Sequence, residues 1–131
     1  MKRLIKTYLK KLSKLRNSRS IPFDSNMYNA LPVKGGVYRI FDSQTNKTIS
    51  IWVGKTNNFQ TRIYRAHLMG NRGASSLKKK LIKRNVCSNE NSVKKYLKKN
   101  CLVQFLVIED KNERSLFEHF AIAILRPKFN D

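Results

Sequence analysis

The stretch that most limits how this chain can fold runs from residue 36 to residue 67, where two short apolar runs and a turn lead into a helix. Gly35-Gly36 breaks into Val37-Tyr38-Arg39-Ile40-Phe41, whose β-branched and aromatic content reads as a strand. Asp42 to Lys47 has turn chemistry, and Thr48 to Val53 reads as the return strand. With Phe41 set opposite Ile49, Tyr38 falls opposite Trp52, so both aromatic side chains share one face of the sheet. Gly54 ends the strand where a side chain would crowd whatever docks there. Thr56 or Asn57 can cap the next helix, which runs to about Leu68 before Gly70 stops it. Phe59 and Ile63 supply its inward side, while Arg62 and Arg65, three apart, share another.

The remaining segments fall around this hairpin and helix. Asn71-Arg72-Gly73 marks a turn, and Leu77 to Arg84 and Ser92 to Lys99 read as two short basic helices. Cys101 to Ile108 is almost continuously apolar, the mark of a strand covered on both faces. Asp110 to Glu113 has the form of a capping box opening a last helix to about Leu125, beyond which Pro127 prevents continuation. Leu116, Phe117, Phe120, Ala121 and Ile124 are available from it for the core. At the other end, Leu4, Ile5, Tyr8, Leu9, Leu12 and Leu15 make an apolar stripe on a basic helix within residues 1–19. Residues 21–32, with two prolines, read as a connector. The expected architecture is α+β: a small three-stranded antiparallel sheet flanked by helices. Residues 1–32 form the basic helix and connector, and residues 33–131 one domain with a basic helical insertion at about 71–100.

Charge narrows the function. The chain carries 28 Lys and Arg against 8 Asp and Glu, a net charge of +20 over 131 residues, which points to a polyanionic partner and to nucleic acid first. Lysine supplies most of it, suiting phosphate contact better than base reading. The candidate contacts are Lys6, Lys10 and Lys14 on the first helix, then Arg72, Lys78, Lys79, Lys80, Lys83, Arg84, Lys94, Lys95 and Lys98 in the insertion. The first helix also admits two other readings, an anionic membrane surface or a cleaved presequence, and the basic charge elsewhere favours nucleic acid. Cys87 and Cys101 lack CxxC spacing and come with only His67 and His119, so free thiols in a reducing compartment are expected rather than a structural zinc. No stretch has the length of a membrane span, and the expectation is an intracellular, cytoplasmic protein of bacterial or phage-like context.

Acids are scarce, so their positions are informative. Only Glu118 sits mid-helix among apolar neighbours, where an unpaired carboxylate is costly to bury. A hard divalent cation would stabilise it there; the plainer alternative is that Glu118 points outward and pairs with a lysine. Five pieces now stand in order: Gly36-Val37-Tyr38, Trp52-Val53-Gly54, Lys55-Thr56-Asn57-Asn58 leading to Arg62, Glu118, and Leu125 to Asn130. Together they resemble the GIY-YIG nuclease family, over most of residues 33–131.

That resemblance implies an endonuclease hydrolysing phosphodiester bonds in nucleic acid, DNA first, with one divalent ion, Mg²⁺ or Mn²⁺. Glu118 would be the metal ligand, Tyr38 the general base, and Arg62 the stabiliser of charge on the scissile phosphate, with Asn130 orienting local structure through its amide. A tyrosine with the ordinary pKa near 10 is a poor base, so Arg62, Arg65, Lys55 and the metal are expected to lower it. Two positions depart from the family pattern. Trp52 stands for the second motif's tyrosine and can neither accept nor shuttle a proton, so that role is missing or moved to Lys55 or His67. The family tends to place His or Tyr four residues after the arginine; this chain has Ala66 there and His67 one later, rotated away from Arg62 on a regular helix. A kink would restore it, or Arg65 would share the arginine's work. Two other readings stand beside the nuclease: a non-catalytic nucleic-acid-binding module on the same fold with a degenerate site at Trp52, and a basic structural protein.

Overall fold

The computed structural model describes residues 2–70, 73 and 75–130. In chain order the elements are α1 (Lys2–Asn17), β1 (Ile21–Pro22), α2 (Met27–Ala30), β2 (Gly36–Asp42), β3 (Ser50–Thr56), a π-helix (Gln60–Leu68), α3 (Ser76–Lys83), α4 (Glu90–Asn100), β4 (Cys101–Val107) and α5 (Lys111–Leu125). The strands form one antiparallel sheet in the order β1-β4-β2-β3, so the sheet has four strands rather than three. The additional strand comes from the expected connector: Ile21 and Pro22 pair with Val103 and Leu102. Two residues are too short for any periodicity to register, and Pro22 is tolerated because the strand lies on an edge.

Helices cover both faces, and β2, flanked by β4 and β3, is buried along its whole length. Successive β2 side chains therefore enter two different cores. Tyr38 and Ile40 join Phe59, Ile63, Leu77 and Val93 on the side of the π-helix, α3 and α4. Val37 joins Tyr8, Leu12, Val53 and Phe117 on the side of α1 and α5. On α1 only Tyr8, Leu12 and Leu15 of the stripe are buried, while Leu4, Ile5 and Leu9 remain exposed. On α5, Phe117 and Ala121 are buried, but Leu116 and Ile124 face solvent.

The hairpin register differs from the expected one by two residues. Tyr38 lies opposite Gly54 and Ile40 opposite Trp52, with an irregularity between Ile40 and Phe41. An even shift preserves the face, so Tyr38 and Trp52 still share a side. Gly54 lies inside β3 rather than at its end, and a Cβ there would sit 2.5 Å from the Tyr38 hydroxyl oxygen. What the bare backbone accommodates is the ring of Tyr38 itself.

At the C-terminal end, Asp110 caps α5 by accepting the Glu113 N–H at 2.9 Å. Arg126, at φ 48, turns the chain out of the helix. Lys128 and Phe129 then donate their N–H groups to the carbonyls of Ser50 and Ile51, each at 2.9 Å, and the tail lies along the free edge of β3. No described helix is long and apolar enough to cross a membrane.

Candidate active site

The helix after β3 is wound as a π-helix over Gln60–Leu68. Asn58 serves its first turn, where Thr56 and Asn57 were the expected caps: its Oδ1 accepts the Thr61 N–H at 3.2 Å. A π-helix hydrogen-bonds five residues apart, so residues at that spacing come round to one side. Arg62 and His67 are five apart, and this winding turns them nearer one side than a regular helix would, so that the Arg62 charge acts on the buried imidazole. Arg65 goes elsewhere: it donates to the Tyr28 hydroxyl at 3.2 Å and lies over that ring, so it does not pair its guanidinium with Arg62.

His67 is buried against Tyr38. The Tyr38 hydroxyl lies 2.5 Å from His67 Nε2, and His67 Nδ1 lies 2.7 Å from Ser75 Oγ. All three residues are at most 1 % exposed. When Tyr38 donates to Nε2, the imidazole proton sits on Nδ1 and Ser75 Oγ accepts it. Burial, with the positive charges of Arg62 and Lys78 adding to it, pushes the His67 pKa down to about 3, so the ring is neutral at ordinary pH. Ser75 was not foreseen as a site residue. Its signal was structural: a serine before a basic amphipathic segment is an N-cap candidate, and its Oγ does accept the Lys78 N–H at 3.2 Å.

The expectation for the Tyr38 pKa is overturned. Burial pushes the phenol up; the Trp52 side chain, as a hydrogen-bond donor, and the Arg62 charge pull it down without prevailing, and Glu118 pushes it further up. Tyr38 rests as a phenol bonded to a neutral acceptor. Trp52 is half-buried with its ring edge-on to His67, 6.2 Å between centroids. Of the two residues considered for the missing tyrosine hydroxyl's place, His67 is the one in contact with Tyr38. Lys55, the other candidate, directs Nζ to Ser115 Oγ at 2.8 Å.

Glu118 is half-buried on α5. Burial raises its pKa, while the Lys55 charge, His119 and a hydrogen bond from the Lys55 backbone lower it. Asn130 clamps the edge of β3 two residues away: its Oδ1 accepts the Val53 N–H at 2.9 Å and its Nδ2 donates to the Val53 carbonyl at 2.7 Å. Between β3 and α5 lies an open groove of about 250 Å³ lined by Lys55, Thr56, Asn57, Arg62, Lys111 and Ser115, with Arg114 behind. A second groove of about 250 Å³, lined by Thr56, Asn57, Thr61, Arg62 and Ala66, shares Arg62 with it. Neither is lined by a carboxylate, which suits an anionic occupant. Among the described residues no three His, Cys, Asp or Glu side chains gather into a metal cluster. A lone half-buried carboxylate fits a hard ion such as Mg²⁺, which keeps several waters and takes one or two carboxylates beside substrate phosphates.

The basic residues divide between the two faces of the sheet. Lys6, Lys10 and Lys14 are exposed on α1; Lys79, Lys83, Arg84, Lys95 and Lys98 are exposed on the α3–α4 side, with Lys80 and Lys94 half-buried. Lys78 is a correction: it is 2 % exposed and donates Nζ to the carbonyls of Leu68 and Gly70, closing the π-helix end, so it offers nothing to a phosphate backbone. Arg72 lies outside the described residues. Cys87 and Cys101 are buried with free thiols.

A family model described as the GIY-YIG catalytic domain matches residues 34–126. Among solved structures, the chain is similar to the GIY-YIG N-terminal endonuclease domain of UvrC from Thermotoga maritima bound to magnesium as its catalytic divalent cation. The identity is 20 %, covering 81 % of this chain and 93 % of that one, with a TM-score of 0.53. A tyrosine-to-phenylalanine mutant of the same domain is 20 % identical, covering 81 % and 92 %, with a TM-score of 0.54. An asparagine-to-alanine mutant is 19 % identical with the same coverage and TM-score. At this identity the likeness establishes the fold. No curated protein sequence matches the chain.

Proposed function

The chain belongs to the GIY-YIG family, and from that premise we propose that it is a metal-dependent endonuclease hydrolysing phosphodiester bonds in nucleic acid, DNA first. The observation that carries this reading is the 2.5 Å contact between the Tyr38 hydroxyl and a neutral His67. A buried phenol cannot wait as phenolate, but it can act as a base if it passes its own proton on as it takes another. Tyr38 takes a proton from the attacking water while its own proton moves to Nε2 of His67, and the Nδ1–H stays on Ser75. The imidazolium so formed is poorly stable in its buried site, which returns the proton readily after the cut.

Arg62 stands on the wall shared by the two grooves, where its guanidinium stabilises the charge that builds on the scissile phosphate. Lys55 favours the charged form of Glu118, and Trp52 contributes a donor beside the Tyr38 oxygen rather than a relay. Glu118 is the residue that would hold a single Mg²⁺ or Mn²⁺, which when bound supplies neutralising charge at the phosphate. Asn130 keeps Val53, and hence the neighbouring Gly54 and Lys55, in place. The exposed lysines of α1, α3 and α4 provide sequence-independent grip, so affinity falls steeply with salt.

The test is cleavage of supercoiled plasmid and of single-stranded DNA, with Mg²⁺ or EDTA, by wild type and Glu118→Ala. Metal-dependent cutting by the wild type and its loss in a folded variant is the expected result. No cutting of either substrate, with salt-sensitive binding intact in both proteins, would replace the nuclease with a binding module whose site decayed at Trp52.

A further inference from the structure

On the face of the sheet turned away from Tyr38, we infer a phosphate-binding site beneath α1, floored by Arg39 and rimmed by Arg16 and Lys47. A cavity of about 470 Å³ lies there between α1, β2 and the β2–β3 turn, larger than either groove beside Arg62. Its wall includes Arg16, Arg39, Lys47, Ser13, Ser20 and Thr48, and no carboxylate lines it.

Arg39 is the unusual group. It is 3 % exposed, yet all its hydrogen-bond partners are neutral. Nε donates to Gln104 Oε1 at 2.8 Å, Nη1 to Ser50 Oγ at 3.0 Å and Nη2 to the Lys47 carbonyl at 2.9 Å. A guanidinium has five donors, so these three bonds leave two N–H groups over. At the end of α1 the carbonyls of Arg16 and Ser18 accept from Gln104 Nε2 at 2.9 and 2.8 Å. Burial and the like charge of Arg16 bring the Arg39 pKa down to about 10, which still leaves it ionised at neutral pH.

A buried charge without a counter-ion is expensive, and a side chain kept only for packing would be aliphatic. A phosphate group supplies what the cavity lacks: two negative charges, acceptors for the forked donors of Arg39, and partners for the surrounding hydroxyls. The volume exceeds that of a bare phosphate and admits a phosphomonoester such as a nucleotide. The same group on a nucleic-acid strand end presents the same chemistry.

Arg16 and Lys47 are exposed, so Arg16→Gln/Lys47→Gln removes two charges from the rim without emptying the core. Lys34→Gln/Lys128→Gln, at two exposed lysines outside the cavity, removes the same charge as a control. Calorimetric titration at fixed ionic strength in chloride uses three probes: inorganic phosphate, a nucleoside monophosphate, and a single-stranded oligonucleotide with or without a 5′-phosphate. The wild type is expected to bind one phosphate per chain, weakened about tenfold in the rim variant and unchanged in the control. Saturable binding of inorganic phosphate or the monophosphate assigns the site to free phosphates. A rim-specific loss seen only with the 5′-phosphorylated oligonucleotide assigns it to strand ends. Equal losses in rim and control variants for every probe, or no saturable binding of any probe, would overturn the site. Arg39→Lys, which keeps the charge and loses the fork, is expected to weaken phosphate at least as much as the rim variant.

Discussion

Tyr38 and Arg39 are neighbours on β2, and each heads a buried polar system on its own face of the sheet. On Tyr38's face the groups answer burial by giving up charge: the phenol stays protonated and His67 is held neutral. On Arg39's face that answer is not available, because a guanidinium keeps its proton even with its pKa brought down to about 10. On the proposed reading, the first system passes the Tyr38 proton to His67 while the Nδ1–H stays on Ser75. The second holds a permanent charge among neutral acceptors and is suited to attracting an anion. One strand, buried on both faces, supports the two because its side chains alternate between two cores that each desolvate groups of very different basicity.

Removing one atom from the proton-moving system should have the largest effect. Tyr38→Phe keeps the ring seated over Gly54 and is expected to lower plasmid nicking by about 10²–10⁴-fold with the fold retained. A folded Tyr38→Phe protein that still cuts at the wild-type rate would end the proton role of this face. Arg62→Ala should follow, with a loss of about 10²–10³-fold in single-turnover cleavage. Arg65→Ala should cost far less, since Arg65 is engaged with Tyr28.

The two faces should also separate in pH dependence. His67 has a folded pKa near 3 against an unfolded value of about 6.5, so the unfolded chain binds more protons between those limits. Its contribution to stability is present above about pH 6.5 and is lost as pH falls toward 3. Arg39 has the same sign, but its window lies above pH 10, so it adds no slope near neutrality. Thermal melting between pH 4 and 8 should therefore lose part of its acid sensitivity in His67→Gln and keep it in Arg16→Gln. Asn130→Ala, which removes both clamps on Val53, should be the smallest effect, a destabilisation of about 1–2 kcal/mol by denaturant melting.

Much of this was legible from residue patterns, where the signal was local. Asp110 as a cap, β4 as a strand (though only partly covered, with Val107 exposed) and α5 ending at Leu125 each follow from chemistry within a few residues. The candidate site residues Tyr38, Arg62, Glu118 and Asn130 were named from motif spacing, and the structure brings both Arg62 and Glu118 into electrostatic range of Tyr38. What escaped was non-local or blind to pattern. A two-residue register shift leaves every side chain on its face, so Tyr38 opposite Gly54 could not be told from Tyr38 opposite Trp52. No residue pattern separates a π-helix from an α-helix, and His67 consequently looked one residue out of place. Lys78 looked like one more lysine in a basic run until the helix end it closes was packed above it.

By itself the sequence determined the inventory: the charge of +20, the order of motifs, and which β2 residues fall on which face, since a strand's period of two needs no partner. Tertiary structure decided the winding that turns His67 onto Tyr38, and it decided ionisation. Whether an imidazole is neutral, a phenol protonated or an arginine left without a counter-ion depends on how much water the surrounding elements exclude, and that is a property of packing rather than of any residue's identity.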